Sequence, residues 1–270
     1  MRKQQQRHVF PKRTMEKQME HKVVKQTEVK VEEAKSKEDR ELQEPKMSAD
    51  VDLRNIVKPL VNWYRENKRD LPWRHNPDAY RVWISEIMLQ QTRVEAVKGY
   101  YERFLKALPT VKDLAEAEED KLLKLWEGLG YYNRVRNMQK AAQQIMVDHA
   151  GRFPDTYEEI LQLKGIGNYT AGAISAFAYG IPKPAVDGNV LRVISRITGS
   201  YEDIMKQSVR KKIENTLEQV IPSDAASDFN QGLIELGAIV CVPNGEPKCE
   251  ECPVKEYCIA CKENLTTEIP

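Results

Sequence analysis

The sequence predicts an all-helical protein. Three observations carry that reading. From Val51 onward apolar residues recur at helical spacing, beginning with Val51, Ile56, Val57, Leu60, Val61 and Tyr64. No stretch alternates as a half-buried strand would. The breaks between periodic runs are short and built from glycine, proline and capping residues, the clearest being Leu163-Lys164-Gly165-Ile166-Gly167.

Composition sets the outer bounds. The chain has 270 residues, room for one large domain or two small ones, and its 41% hydrophobic content is enough for a proper core. No apolar run approaches the ~18 residues of a membrane span. No charged-then-apolar leader is visible, so a soluble cytoplasmic protein is expected. Net charge is +1. Residues 1–50 hold 13 basic and 10 acidic residues, and the rest holds 29 and 31. A DNA-binding body of that charge must gather positive groups locally or use backbone amides. Of five cysteines, four fall between Cys241 and Cys258, which argues against a disulfide framework and for a metal site.

In chain order, residues 1–50 read as a charged, disordered tail, rich in Lys, Glu and Gln and poor in large apolar residues. The first helix follows from Val51. Asp70-Leu71-Pro72-Trp73-Arg74 breaks it, and Asp78 or its neighbours start the next helix, from Tyr80 to about Val97. On that helix Val82, Trp83, Leu89 and Gln90 share the face of Glu86. A carboxylate there is either a surface charge or a partly desolvated acid with a raised pKa.

Helices ending at Pro109 and carrying Leu122, Leu123, Leu125 and Trp126 come next. Gly128-Leu129-Gly130-Tyr131-Tyr132-Asn133-Arg134 is a turn with two aromatics beside Arg134 and Arg136. Tyrosines there pack in a core or, against DNA, wedge a ring between bases while the arginines hold phosphates. The hairpin Gly165-Ile166-Gly167 then opens a helix from about Tyr169 to Tyr179. Exposed amides at a helix N-terminus suit a phosphate. After Pro182 and Pro184, Asp187 sits where the N-cap of the helix Val190–Ile197 is due.

The cysteines run Cys241-x7-Cys249-x2-Cys252-x5-Cys258. Four thiolates this close fit a tetrahedral zinc or a [4Fe–4S] cluster. A single C-x2-C pair, where a zinc ribbon uses two, tilts the choice to iron–sulfur. Cys261 falls outside the spacing and reads as a spare thiol.

Taken together, several motifs resemble those of the MutY-type adenine DNA glycosylases, members of the helix–hairpin–helix superfamily that also contains endonuclease III. They are LPW at Leu71–Trp73, VWISEIMLQQT at Val82–Thr92, GLGYYNRVRN at Gly128–Asn137, LKGIGNYTAGAI at Leu163–Ile174, VDGNV at Val186–Val190, FNQGLIELGAIVC at Phe229–Cys241, and the four cysteines. The resemblance runs from about Val51 to Cys258. It departs in the Cys241–Cys249 loop, which is one residue longer than the family's and holds a single basic residue, Lys248.

The resemblance implies a two-lobed helical fold with DNA in the cleft. Residues 78–183 form a six-helix barrel containing the hairpin. Residues 51–77 and 184–262 form the iron–sulfur lobe, and residues 263–270 begin a linker. It implies a monofunctional glycosylase that removes adenine mispaired with 8-oxoguanine or guanine in duplex DNA, working as a bacterial, nucleoid-associated monomer. Glu86 is the acid, Asp187 the sugar-facing carboxylate, and Tyr169 and Asn189 support them. Trp73, Arg74, Gln91, Thr92, Leu129, Tyr131 and Gln231 contact substrate, while Gly165, Gly167, Arg134 and Arg136 meet phosphates. Cys241, Cys249, Cys252 and Cys258 hold the [4Fe–4S] cluster. Tyr169 stands where strand-cutting relatives carry an imine-forming lysine. The alternatives are a thymine-mismatch glycosylase and a non-catalytic iron–sulfur DNA-binding protein. The chain stops twelve residues after Cys258, so the 8-oxoguanine-reading domain usual in the family is expected to be missing, with weaker discrimination of the opposite base.

Overall fold

The computed structural model describes residues 51–270; the tail read over residues 1–50 lies outside the described residues. Among the described residues all regular structure is helical, in twelve α-helices and three 3-10 turns. In order they are α1 (Arg54–Asn67), α2 (Ala79–Leu89), α3 (Val94–Ala107), α4 (Val111–Ala115), α5 (Glu119–Trp126), α6 (Asn133–Asp148), α7 (Tyr157–Leu161), α8 (Asn168–Tyr179), α9 (Gly188–Thr198), α10 (Gln207–Glu218), α11 (Ala226–Ile239) and α12 (Ile259–Lys262). None of them is long and apolar enough to cross a membrane.

The starts follow the sequence closely. Asp78 caps α2 by accepting from the Arg81 N–H, and Thr110 and Asp113 form a reciprocal capping box on α4. One expected helix is in fact two. The run from Tyr80 to Val97 breaks between Leu89 and Val94. Gln91 takes a left-handed backbone there, with φ 59°, which ends the ladder of α2 and swings the chain into α3.

Two apolar clusters form the interior. The first joins α2 through α8, with Trp83, Phe104, Trp126 and Met138 fully or almost fully buried. Its rings meet edge-on, Trp83 with Phe153 at 5.5 Å and Phe104 with Trp126 at 6.0 Å. The second joins α1, α9, α10, α11 and the segment beyond, around Ile56, Leu60, Val190, Phe229 and Leu233. Two boundaries differ from expectation. Leu71 and Trp73 belong to the first cluster, because the turn Pro72–Arg74 packs on α2 and α3. Residues 263–270 are no free linker up to Ile269: that side chain is 1% exposed in the second cluster, and its carbonyl accepts from Arg196 Nε at 3.3 Å.

Helix α8 joins the two clusters, packing on α2, α7 and α11. It is apolar nearly all round, as a helix buried on every side must be. At Gly172 it lies so close to the turn before α9 that a Cβ there would sit 2.0 Å from the Pro184 carbonyl oxygen. Backbone meets backbone, and only glycine permits it.

Candidate active site

A cleft of about 980 Å³ opens between the two clusters, lined by α2, the Gln90–Arg93 turn, the start of α8, the Val186–Asn189 segment and α11. Glu86 lies within it on α2 and is 6% exposed. Its Oε2 accepts a hydrogen bond from Tyr169 Oη at 2.6 Å. Burial pushes the Glu86 carboxyl up to about 7; the Tyr169 bond and Arg74 oppose this, and Asp187 adds to it. A carboxyl in this setting keeps its proton close to neutrality and can give it up to a bound base. The Tyr169 hydroxyl is itself pushed well above its ordinary value by burial and by the carboxylates beside it, so it stays a donor.

Asp187 caps α9. Its Oδ1 accepts from the Val190 N–H at 2.8 Å and its Oδ2 from Asn189 Nδ2 at 2.7 Å. A helix N-terminus by itself favours an ionised carboxylate. Here burial wins: it raises the Asp187 pKa, with the Val190 and Asn189 bonds opposing it. Its neighbours are fixed from several sides. Asn230 on α11 accepts the Ala185 N–H at 2.8 Å, and Arg210 on α10 donates to the Val186 carbonyl at 2.5 Å. Asn189 Oδ1 accepts from Arg192 Nη2 at 2.8 Å, and the same arginine reaches the Gly237 and Cys241 carbonyls at 2.8 and 2.9 Å.

The opposite wall holds a charge network that sequence patterning missed. Glu235 is fully buried on α11 and bridges Arg69 and Arg74, each at 2.8 Å from its Oε2. Burial alone would raise this carboxyl, but the bonds from Arg69 and Arg74 hold it down at about 2. Arg74 Nε also donates to Gln231 Oε1 at 3.2 Å, an oxygen shared with the Tyr64 hydroxyl at 2.9 Å. Arg74 and Gln231 are thereby presented to the cleft as fixed polar groups beside Trp73. Only an apolar run carrying one Glu was legible there, and a partner 161 residues away left no local signal.

The other expected site residues divide. Gln91, Thr92 and Tyr131 line the cleft, and Tyr131 is 69% exposed. Gly165 and Gly167 are exposed at the start of α8, with Gly165 at φ 80°. Leu129 is buried in the first cluster and is absent from the cleft wall. Arg134 is corrected as a phosphate ligand: its two terminal nitrogens donate to the carbonyls of Ile87, Met88, Gln90, Leu129 and Gly130. Arg136 pairs with Glu119 at 2.8 Å and is absent from the cleft wall.

The cysteines lie beyond α11. Cys241 follows that helix, Cys249 and Cys252 bracket a 3-10 turn, and Cys258 precedes α12. All five thiols are free. Burial pushes Cys249 up to about 11 and Cys252 to about 12, and neighbouring sulfurs add to both. Cys261, read as a spare, is among the neighbouring sulfurs that raise Cys249. Arg196 Nη1 donates to Cys241 Sγ at 3.3 Å. Among the described residues no three His, Cys, Asp or Glu side chains converge on a single-ion site. Cysteine thiols are the ligands an iron–sulfur cluster takes, and a guanidinium against one of them suits the charge of such a cluster.

Residues 84–221 match the HhH-GPD superfamily of base excision DNA repair proteins. The adenine DNA glycosylase of Buchnera aphidicola subsp. Acyrthosiphon pisum (strain APS) is 42% identical over 212 residues, 78% of this chain and 60% of its own. That of Homo sapiens is 41% identical over 210 residues, 74% of this chain and 38% of its own. The chain therefore spans between 38% and 60% of the length of these relatives. Among solved structures, a thermostable thymine-DNA glycosylase superposes with a TM-score of 0.71 at 32% identity, over 78% of this chain and 97% of that one. A trapped endonuclease III–DNA covalent intermediate shares the fold, with a TM-score of 0.65 at 22% identity over 79% and 97%. The matched span holds Glu86, the glycine hairpin and Asp187 and covers about half of the chain, so the protein belongs to the HhH-GPD superfamily of base excision DNA repair proteins.

Proposed function

We propose that the protein is a monofunctional DNA glycosylase that releases adenine mispaired with 8-oxoguanine or guanine in duplex DNA. One observation carries the reading: a buried carboxyl poised near neutrality, Glu86, shares a cleft with a helix-capping carboxyl, Asp187. The similarity to adenine DNA glycosylases supplies the base. A purine N-glycosidic bond is out of reach inside a duplex, so the nucleotide is turned into the cleft. Glu86 donates its proton to the adenine N7, which turns the base into a leaving group. As the bond breaks, positive charge grows on the sugar, and Asp187 faces it as the stabilising carboxylate, in the manner of a glycosidase carboxyl pair. Deprotonated Glu86 then activates water. Tyr169 orients Glu86 through its 2.6 Å bond. Having no amine, it forms no imine with the sugar, so the strand stays uncut. Asn189 holds Asp187, while Trp73, Arg74 and Gln231 bound the base. Gln91, Thr92 and Tyr131 face the duplex, and Gly165 and Gly167 offer amides to a phosphate.

The assay uses duplexes carrying A opposite 8-oxoguanine, A opposite guanine, and T opposite guanine. Alkali after incubation is expected to cut at the adenine, and borohydride is expected to trap no protein on the strand. The thymine duplex answers the second reading, which the thymine-DNA glycosylase likeness favours. Cleavage of that duplex alone overturns the adenine assignment, and efficient trapping overturns the monofunctional one.

Cys241, Cys249, Cys252 and Cys258 would hold a [4Fe–4S] cluster. Such a cluster ties its four thiolates into one rigid unit and can exchange single electrons. Arg196 places a positive charge against the Cys241 sulfur. Protein purified without air should be yellow-brown with about four irons per chain. Stoichiometric zinc without iron would remove the assignment.

A further inference from the structure

Arg134 of the turn motif has both terminal nitrogens committed to backbone carbonyls, so phosphate binding does not explain it. We propose that it is a positioning residue, which locks the loops of Gln91 and Tyr131 together so that both side chains enter the duplex as one unit. This rests on the glycosylase reading above, and it deepens the part played by the cleft mouth.

Three features meet at this residue. Gln91 and Tyr131 are both exposed and both left-handed, with φ 59° and 47°. Residues with a Cβ hold that backbone only where the surroundings impose it. They sit on separate loops, one ending α2 and the other preceding α6. The Arg134 guanidinium spans the two. Nη1 donates to the Ile87 and Gln90 carbonyls, both at 2.7 Å, and Nη2 to those of Leu129 and Gly130 at 3.0 and 3.3 Å. Its Cζ lies 5.3 Å from the Trp126 ring centroid and 5.8 Å from that of Tyr131. Its own amide donates to the Tyr131 carbonyl at 2.9 Å.

The chemistry of the side chain fits the task. A guanidinium is a flat fork with donors on two edges, so one side chain can satisfy two loops at once. The carbonyls on one edge are orphans of the α2 C-terminus, which need partners wherever water is excluded. Lysine has its donors at a single point and reaches one loop only. Glu86 lies on the same α2, one residue before Ile87, so the contact also ties the mouth to the buried carboxyl.

The test uses Arg134→Lys, with Arg134→Met as a second variant that keeps the stem and loses the donors. The probe is a duplex with 2-aminopurine, a fluorescent adenine analogue, opposite 8-oxoguanine. Its fluorescence rises when the base leaves the stack. Wild type should give that rise; both variants, if circular dichroism shows them folded, should lose most of it. Single-turnover adenine release should fall by about tenfold or more, the scale of loss from a small misplacement. In a Gln91→Ala/Tyr131→Ala background, Arg134→Lys should cost no more than about twofold further, because coupled residues share one effect. A full fluorescence rise in folded Arg134→Lys overturns the proposal. So does an undiminished tenfold loss in the wedge-free background, which marks a general structural role. A wild type that raises fluorescence but releases no adenine overturns the adenine reading instead, and the fluorescence comparison still judges Arg134.

Discussion

Glu86→Gln should abolish adenine release while duplex binding stays close to wild type. The amide keeps the shape and the Tyr169 bond but has no proton to give. General acid catalysis is worth about 10²–10⁴-fold, so a loss of about a thousandfold in single-turnover rate is expected. A rate within about tenfold of wild type would remove Glu86 from the acid role, since that is only ~1.4 kcal/mol of barrier. The same substitution carries a second, independent signature. The folded-state pKa of Glu86 is raised from 4.5 to about 7. Between those values the folded protein binds more protons than the unfolded chain, so stability falls as pH rises through that window. Glu86 therefore helps stability most below pH 4.5 and costs it above pH 7, by up to about 3 kcal/mol. Glu86→Gln removes the penalty, so its melting temperature should exceed wild type at pH 8 and match it at pH 4.5. An equal melting temperature at pH 8 would mean that the carboxyl ionises freely.

Asp187→Asn should lose about a thousandfold in release rate as well, because a neutral amide does not stabilise positive charge growing on the sugar. Folding should survive, since asparagine caps helices as well as aspartate does. One acceptor is lost, however. Asp187 uses one oxygen for the Val190 N–H and the other for Asn189 Nδ2, and an asparagine has one oxygen. The unmet donor costs about 1 kcal/mol, which chemical denaturation can measure. A variant that turns over normally while showing that stability loss would make Asp187 a cap and nothing more.

What the sequence revealed, and what it hid, divides by range. The burial of Glu86 was one of two readings the sequence left open, suggested by mostly apolar neighbours three and four residues away, and the structure decides for it. The capping role of Asp187 was legible because Asp-Gly-Asn precedes an apolar run. Both are local signals. The direction of the Asp187 shift was not, since it balances burial by distant elements against local bonds, and burial is larger. The break after Leu89 left no trace, because Gln90-Gln91-Thr92-Arg93 contains neither glycine nor proline. Arg134, more than forty residues on, donates to the Gln90 carbonyl in that turn. For the same reason Arg134 was misread: a sequence shows that a charge exists and not which way it points. Glu235 escaped notice because its partners Arg69 and Arg74 lie at the far end of the chain.

The contact at Gly172 bears on how the walls of the cleft meet. Three residues before it stands Tyr169, the partner of Glu86, and three residues after Pro184 stands Asp187. Close in sequence to both residues, α8 and the chain leading into α9 touch without any side chain between them. A side chain has rotamers and yields; two abutting backbones have almost no play. At this junction of two cleft walls a hydrogen atom stands where every other residue carries a carbon.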